Sequence, residues 1–148
     1  MTLDFNKFAA EGNEFLNTLA HELGYPQDRN RAARVLRAVL HTLRDILTPE
    51  ENVQLLAQLP MFLKGVYVEE WKLKKEKNVR TMEQFIQRVK KYDRFGAGHD
   101  FETNEDVESA AKTLFIVLHR YISLGELEDI KAVLPKELKS LVNPVLMV

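Results

Sequence analysis

The sequence predicts an all-α fold, a compact bundle of about six main helices built as two pseudo-symmetric three-helix repeats. Three observations predict it. Apolar residues recur at i, i+3, i+4 and i+7 along most of the chain, the period of a helix with one buried face. These stretches open on capping residues or close on glycine or proline. Two halves of the chain also read alike at a nearly constant offset. A chain of 148 residues is one domain by length. At this size about 70% of the unfolded surface is buried, so a core forms without cross-links. Six glycines and five prolines leave little material for β-turns.

The first stripe is Phe5, Phe8, Phe15, Leu16, Leu19 and Leu23. Gly24-Tyr25-Pro26 ends it, because glycine accepts a left-handed cap and proline cannot continue a helix. Asp28 caps a second helix to about Leu47, with Ala32, Ala33, Leu36, Val39, Leu40, Leu43, Ile46 and Leu47 inward and Arg34, Arg37, His41 and Arg44 on the other face. Thr48-Pro49-Glu50-Glu51 opens the third helix, combining an N-cap, a proline in the first turn and a capping-box glutamate. Val53, Leu55, Leu56 and Leu59 are its apolar residues, Pro60 stops it, and a short turn or helix spans Met61 to Tyr67. Residues 68–80 read as a connector, polar and basic from Lys72 on. Thr81 with Gln84 opens the fourth helix, which buries Met82, Phe85, Ile86 and Val89. The run Phe95-Gly96-Ala97-Gly98-His99 reads as a turn. The fifth helix starts at Thr103 to Asp106 and carries Val107, Ala110, Ala111, Leu114, Phe115, Val117, Leu118, Tyr121 and Ile122. Ser123 with Glu126 opens a sixth, holding Leu127, Ile130, Val133 and Leu134 before Pro135. A last short helix with Leu138 and Leu141 stops near Asn143-Pro144.

The halves align as follows. Residues 32–41, AARVLRAVLH, match 110–119, AAKTLFIVLH. Glu51, Leu55, Ala57, Leu59-Pro60 and Leu63-Lys64 match Glu126, Ile130, Ala132, Leu134-Pro135 and Leu138-Lys139, the offset falling from 78 to 75 at the turn between helices. The leading helices agree too, Phe15-Leu16 and Leu19 against Phe85-Ile86 and Val89. Amphipathicity alone does not demand paired Leu-Pro stops. Repeat one covers about 4–67 and repeat two about 81–142. Phe115 and Ile116 stand where the first copy has Arg37 and Ala38, so the fifth helix is expected to be the more central.

Several chemistries are excluded or lack a signature. The absence of cysteine removes disulfides, thiolate catalysis and cysteine-ligated zinc, and fits the cytoplasm. No apolar run approaches the roughly 18 residues that span a bilayer, so membrane insertion is not expected. Asp4, Glu11 and Glu14 near the start are unlike a signal peptide. His21, His41, His99 and His119 form no metal-ligand spacing. His41 and His119 hold equivalent positions; the bland reading is solvent-facing or half-buried, the sharp one a shared metal or proton-sensing site. Glu50-Glu51, Glu69-Glu70 and Glu126/Glu128 have solvent-like flanks rather than the apolar pocket that tunes a catalytic acid. No phosphate-loop motif is present. No catalytic residue, metal or cofactor is therefore assigned; the leading reading is non-enzymatic, and an enzyme whose site is assembled from scattered residues stays open as the third reading.

Binding remains. From Lys72 to Arg94 nine cationic residues face three acidic ones, while the whole chain carries a net charge of −1. Such asymmetry attracts phosphates or an acidic partner. Tyr67, Trp71 and Tyr92 flank it, as stacking residues flank cations in nucleic-acid binders. Trp71 reads either as a lid over the junction between the repeats or as an anchor for a partner. The binding candidates are Tyr67, Trp71, Lys74, Lys75, Lys90 and Lys91. The first expectation is a protein, peptide or small ligand in a groove between the repeats. The second is nucleic acid or another anion on the basic face at 72–94.

Ala57-Gln58-Leu59-Pro60, then Gly65-Val66-Tyr67 with Trp71, then Leu134-Pro135-Lys136-Glu137-Leu138, together with Phe15 and the Arg34–Leu40 helix, resemble the bacterial family of domain of unknown function 2267. The resemblance spans about residues 14 to 142. It implies an all-helical fold and brings no established activity, so no site residue is carried over from it.

Overall fold

The computed structural model describes residues 3–72, 79–94 and 96–146. All regular structure among them is helical: α1 Phe5–Leu23, α2 Arg29–Ile46, α3 Pro49–Gln58, α4 Met61–Val68, α5 Met82–Tyr92, α6 Ala97–Asp100, α7 Asn104–Leu118 and α8 Leu124–Val133, then a 3₁₀ helix at Lys136–Leu141 and α9 Asn143–Leu146. No helix among the described residues is long and apolar enough to cross a membrane.

Caps explain most boundaries. Asp28 accepts from the Arg31 amide at 3.0 Å to start α2. Thr48/Glu51, Thr81/Gln84 and Thr103/Asp106 each form the full reciprocal box. Ser123 accepts from the Glu126 amide, but Glu126 does not answer, so the predicted fourth box is half made. Gly24 closes α1 at φ 98°, a conformation open to glycine and strained for other residues. Leu59 and Leu134 leave their helices with nearly the same backbone, φ −73°, ψ 145° and φ −71°, ψ 146°, and each precedes proline.

Helices α1, α2, α5 and α7 form a ring in which each packs on two neighbours, and α2 also meets α7 across it. Helix α4 lies on α1 and α2, as the 3₁₀ helix lies on α5 and α7, and α3 meets α8. The core is continuous from Phe15 and Leu19 through Val35, Leu40, Leu63 and Phe85 to Leu114, Leu127 and Leu138.

Several details differ from the sequence reading. Helix α7 ends at Leu118, not Ile122, and Ile116 on it is 47% exposed. The more enclosed long helix is α2, buried along Val35–Arg44 except for Arg37. On α3 the polar Asn52 is buried and Val53 exposed, because the Asn52 amide donates to the Arg44 and Leu47 carbonyls at the end of α2 at 2.9 and 3.2 Å. These carbonyls lack partners within their own helix. Val133 is also exposed, and Val79, assigned to the connector, is buried. Pro144 does not end the chain's helical structure but lies inside α9.

Candidate functional site

A cleft of about 450 Å³ opens where α2, α5 and the segment after α4 meet. Its wall is built from one face of each element. Helix α2 supplies Arg34, Arg37, His41, Arg44 and Asp45, residues three or four apart and so stacked on one side. Glu69, Glu70 and Lys72 come from the strap that follows α4. Arg88, Lys91, Tyr92, Asp93 and Arg94 come from the end of α5 and the turn beyond it. Seven cationic side chains thus face four acidic ones.

Arg44 is buried in the wall, 5% exposed. Its Nη1 donates to the carbonyls of Tyr67 and Glu69 at 2.8 and 2.9 Å, and its guanidinium stands 5.9 Å from the centre of the Trp71 ring. No carboxylate among the described residues forms an ion pair with it, and its buried Nε has no hydrogen-bond partner. The two carbonyls fix the strap over the cleft. Glu70 on that strap has φ 54°, a left-handed conformation that costs a non-glycine residue about 1 kcal/mol.

The surrounding charges are more fully satisfied. Arg37 pairs with Glu69 at 2.7 Å in the open. Asp45 takes both Arg88 at 2.5 Å and the Tyr92 hydroxyl at 2.6 Å; burial and this carboxylate push the Tyr92 phenol up to about 12. His41 is 5% exposed, sits edge-on to Tyr92 at 5.6 Å, and donates from Nε2 to the Val66 carbonyl at 2.7 Å. Burial lowers its pKa; the Val66 bond opposes that and the Arg44 charge adds to it.

At the far edge, the run read as a turn forms the single helical turn α6 and a clasp. Arg34 holds the Asp100 carboxylate through Nε and Nη2 at 2.9 and 2.8 Å. Arg31 takes the Asp100 carbonyl at 2.6 Å and lies 3.9 Å over the Tyr25 ring. A Cβ on Gly96 would stand 2.5 Å from Asp100 Oδ2 and 2.8 Å from Arg34 Nε, so only glycine fits. Burial would raise the Asp100 pKa, but bonds from Arg34, Asp93 and His99 outweigh it and hold the group below the carboxylate range. Asp93 moves the other way, to about 7, through burial and its hydrogen bond to Asp100.

The sequence candidates part company here. Lys91 lines the cleft, exposed and without an ion pair among the described residues. Lys90 turns away to Asn104 at 2.5 Å. Trp71 is partly exposed beside the cleft, edge-on to Tyr67 at 6.4 Å. Tyr67 is fully buried and bonds to Asn52, so it is a core residue and not a contact surface. Lys74 and Lys75 lie outside the described residues. His41 is buried on the cleft wall while His119 is exposed at the end of α7, so the equivalent histidines have unlike surroundings. Among the described residues no group of three or more metal-ligating side chains occurs. Arg34, Arg37, Arg44 and His41 went unassigned in the sequence, although they mark one face of α2 at helical spacing.

No curated protein matches the chain. The model of one family matches residues 12–141, a span that holds every described wall of the cleft, and on that match the chain belongs to the family described as Uncharacterized conserved protein (DUF2267).

Proposed function

We propose that this chain is a binding domain whose cleft between α2 and α5 takes a small anionic ligand. Arg44 carries the reading. A buried charge without a counter-charge is costly, and the natural remedy is an anion supplied from outside. The volume, about 450 Å³, suits a small molecule. Arg37, Lys72 and Lys91 at the rim would draw the ligand in.

The internal similarity supports the same reading. We infer that the chain arose by duplication, with α1 and α2 corresponding to α5 and α7. The cleft between α2 and α5 then has a counterpart between α7 and α1. At the aligned offset Phe115 replaces Arg37, and it is buried. The fold therefore accepts a buried apolar residue at the counterpart of Arg37, whereas Arg37 itself stands exposed at the mouth of the cleft. A nucleic-acid surface is favoured less. Tyr67 is buried and the Tyr92 hydroxyl is bound to Asp45, which leaves few aromatic faces for stacking bases.

Inorganic pyrophosphate tests the reading. At a concentration of about 100 Kd it should raise Tm by about 8 °C. Arg44→Met should abolish the shift, and Lys91→Glu should weaken binding by about threefold or more. Absence of a shift at millimolar pyrophosphate, or binding indifferent to both substitutions, sinks it.

A further inference from the structure

Resting on that reading, we infer that the ligand carries an O–H group beside its ionised oxygens, and that His41 Nδ1 accepts it. The cleft's other side chains limit the choice. Arginine and lysine only donate hydrogen bonds, so they recognise ionised oxygens and cannot receive a proton-bearing one. Asp45 is already taken by Arg88 and Tyr92, Glu69 by Arg37 and Asp93 by the Asp100 clasp, while the exposed Glu70 carboxylate repels an anion rather than receiving one. His41 differs. A carbonyl can only accept, so the contact to Val66 places the ring proton on Nε2. Nδ1 is then a bare acceptor, and it makes no hydrogen bond among the described residues. The charges that act on the ring are those of Arg44, Glu69 and Arg37. Two of the three are cationic, and with burial they keep the imidazole neutral, preserving the lone pair.

An anion lacking O–H would set its own lone pairs against Nδ1. One bearing O–H satisfies the guanidinium donors and the imidazole acceptor together. Sites that hydrogen-bond a hydroxyl discriminate strongly against analogues without it. A hydrogen phosphate group has this chemistry, and so does a hydroxy-carboxylate.

Calorimetric titration of the full chain near neutral pH and at low salt, with two matched pairs of probes, decides the matter. Inorganic phosphate keeps an O–H in both of its neutral-pH forms, whereas sulfate has none. Malate bears a hydroxyl that succinate lacks. We expect a preference of about tenfold or more within one pair. Preference for phosphate identifies a phosphate group, and preference for malate a hydroxy acid. His41→Leu, which removes both ring nitrogens and leaves the Val66 carbonyl its bond from the Glu69 amide at 3.4 Å, should erase that preference. His41→Phe, which removes both nitrogens, should do the same if it folds. Equal affinities within both pairs overturn the inference and leave the anion reading standing. So does a preference that survives in folded His41→Leu or His41→Phe. Failure of all four probes to bind overturns both.

Discussion

Burial of Asp93 against Asp100 makes its protonated form the favoured one in the folded chain, with a pKa of about 7 against an ordinary 3.8. Between these values the folded state holds a proton that the unfolded state has released. Its contribution to stability is complete below about pH 4 and is lost as pH rises through 7. His41 acts with the opposite sign. Its lowered pKa means that the unfolded chain takes up a proton first, so stability is lost as pH falls below the ordinary 6.5. Asp93→Asn keeps a hydrogen-bonding side chain beside Asp100 and removes the titration. It should stabilise the protein at pH 8 by about 1 kcal/mol and flatten the decline between pH 5 and 8, as read by urea unfolding at several pH values. Equal pH profiles for the variant and the parent would refute the assignment. The sequence singles out His41 only as one of a pair with His119, and Asp93 not at all. Asp93 reads as one acidic residue in a basic run, and only the return of α6 onto α2 brings Asp100 and Arg34 to it.

Helix starts were legible at the scale of elements, because a cap involves residues only three apart. The Thr48, Thr81 and Thr103 boxes form as their spacing requires, and Ser123 forms half of one. Thr48→Ala should therefore cost about 1 kcal/mol in urea unfolding, and Ser123→Ala less, since only one bond is lost there. A larger loss at Ser123 would mean that the missing half does form in solution. Which face of a helix is buried was less legible on short helices. On α3 the apolar pattern pointed Val53 inward, yet the open carbonyls at the end of α2 recruit Asn52. Helix α6 is a single turn, too short for any periodicity to show, and the glycine that caps it, Gly96, is crowded by the clasp of Asp93 and Asp100 with Arg34, which is distant in sequence.

For the molecule as a whole, the ring of α1, α2, α5 and α7 implies that neither half buries its apolar face alone. Helix α2 packs on both α5 and α7, which belong to the other half. Residues 4–67 and 81–142 expressed separately should each lack a cooperative unfolding transition, and mixing them should restore helical circular dichroism. A half that unfolds cooperatively as a monomer would count against interdependent halves.

The sequence by itself determined the helical class, most helix starts, the two Leu-Pro stops and the family. These rest on contacts within a few residues, or on a pattern with a fixed period. Only the tertiary structure decided where charge gathers. Arg44 and Lys91 stand 47 positions apart in the chain, and the packing of α2 on α5 is what sets them around one cleft. A charge's surroundings depend on which elements enclose it, and that is fixed by packing between helices rather than by any local pattern.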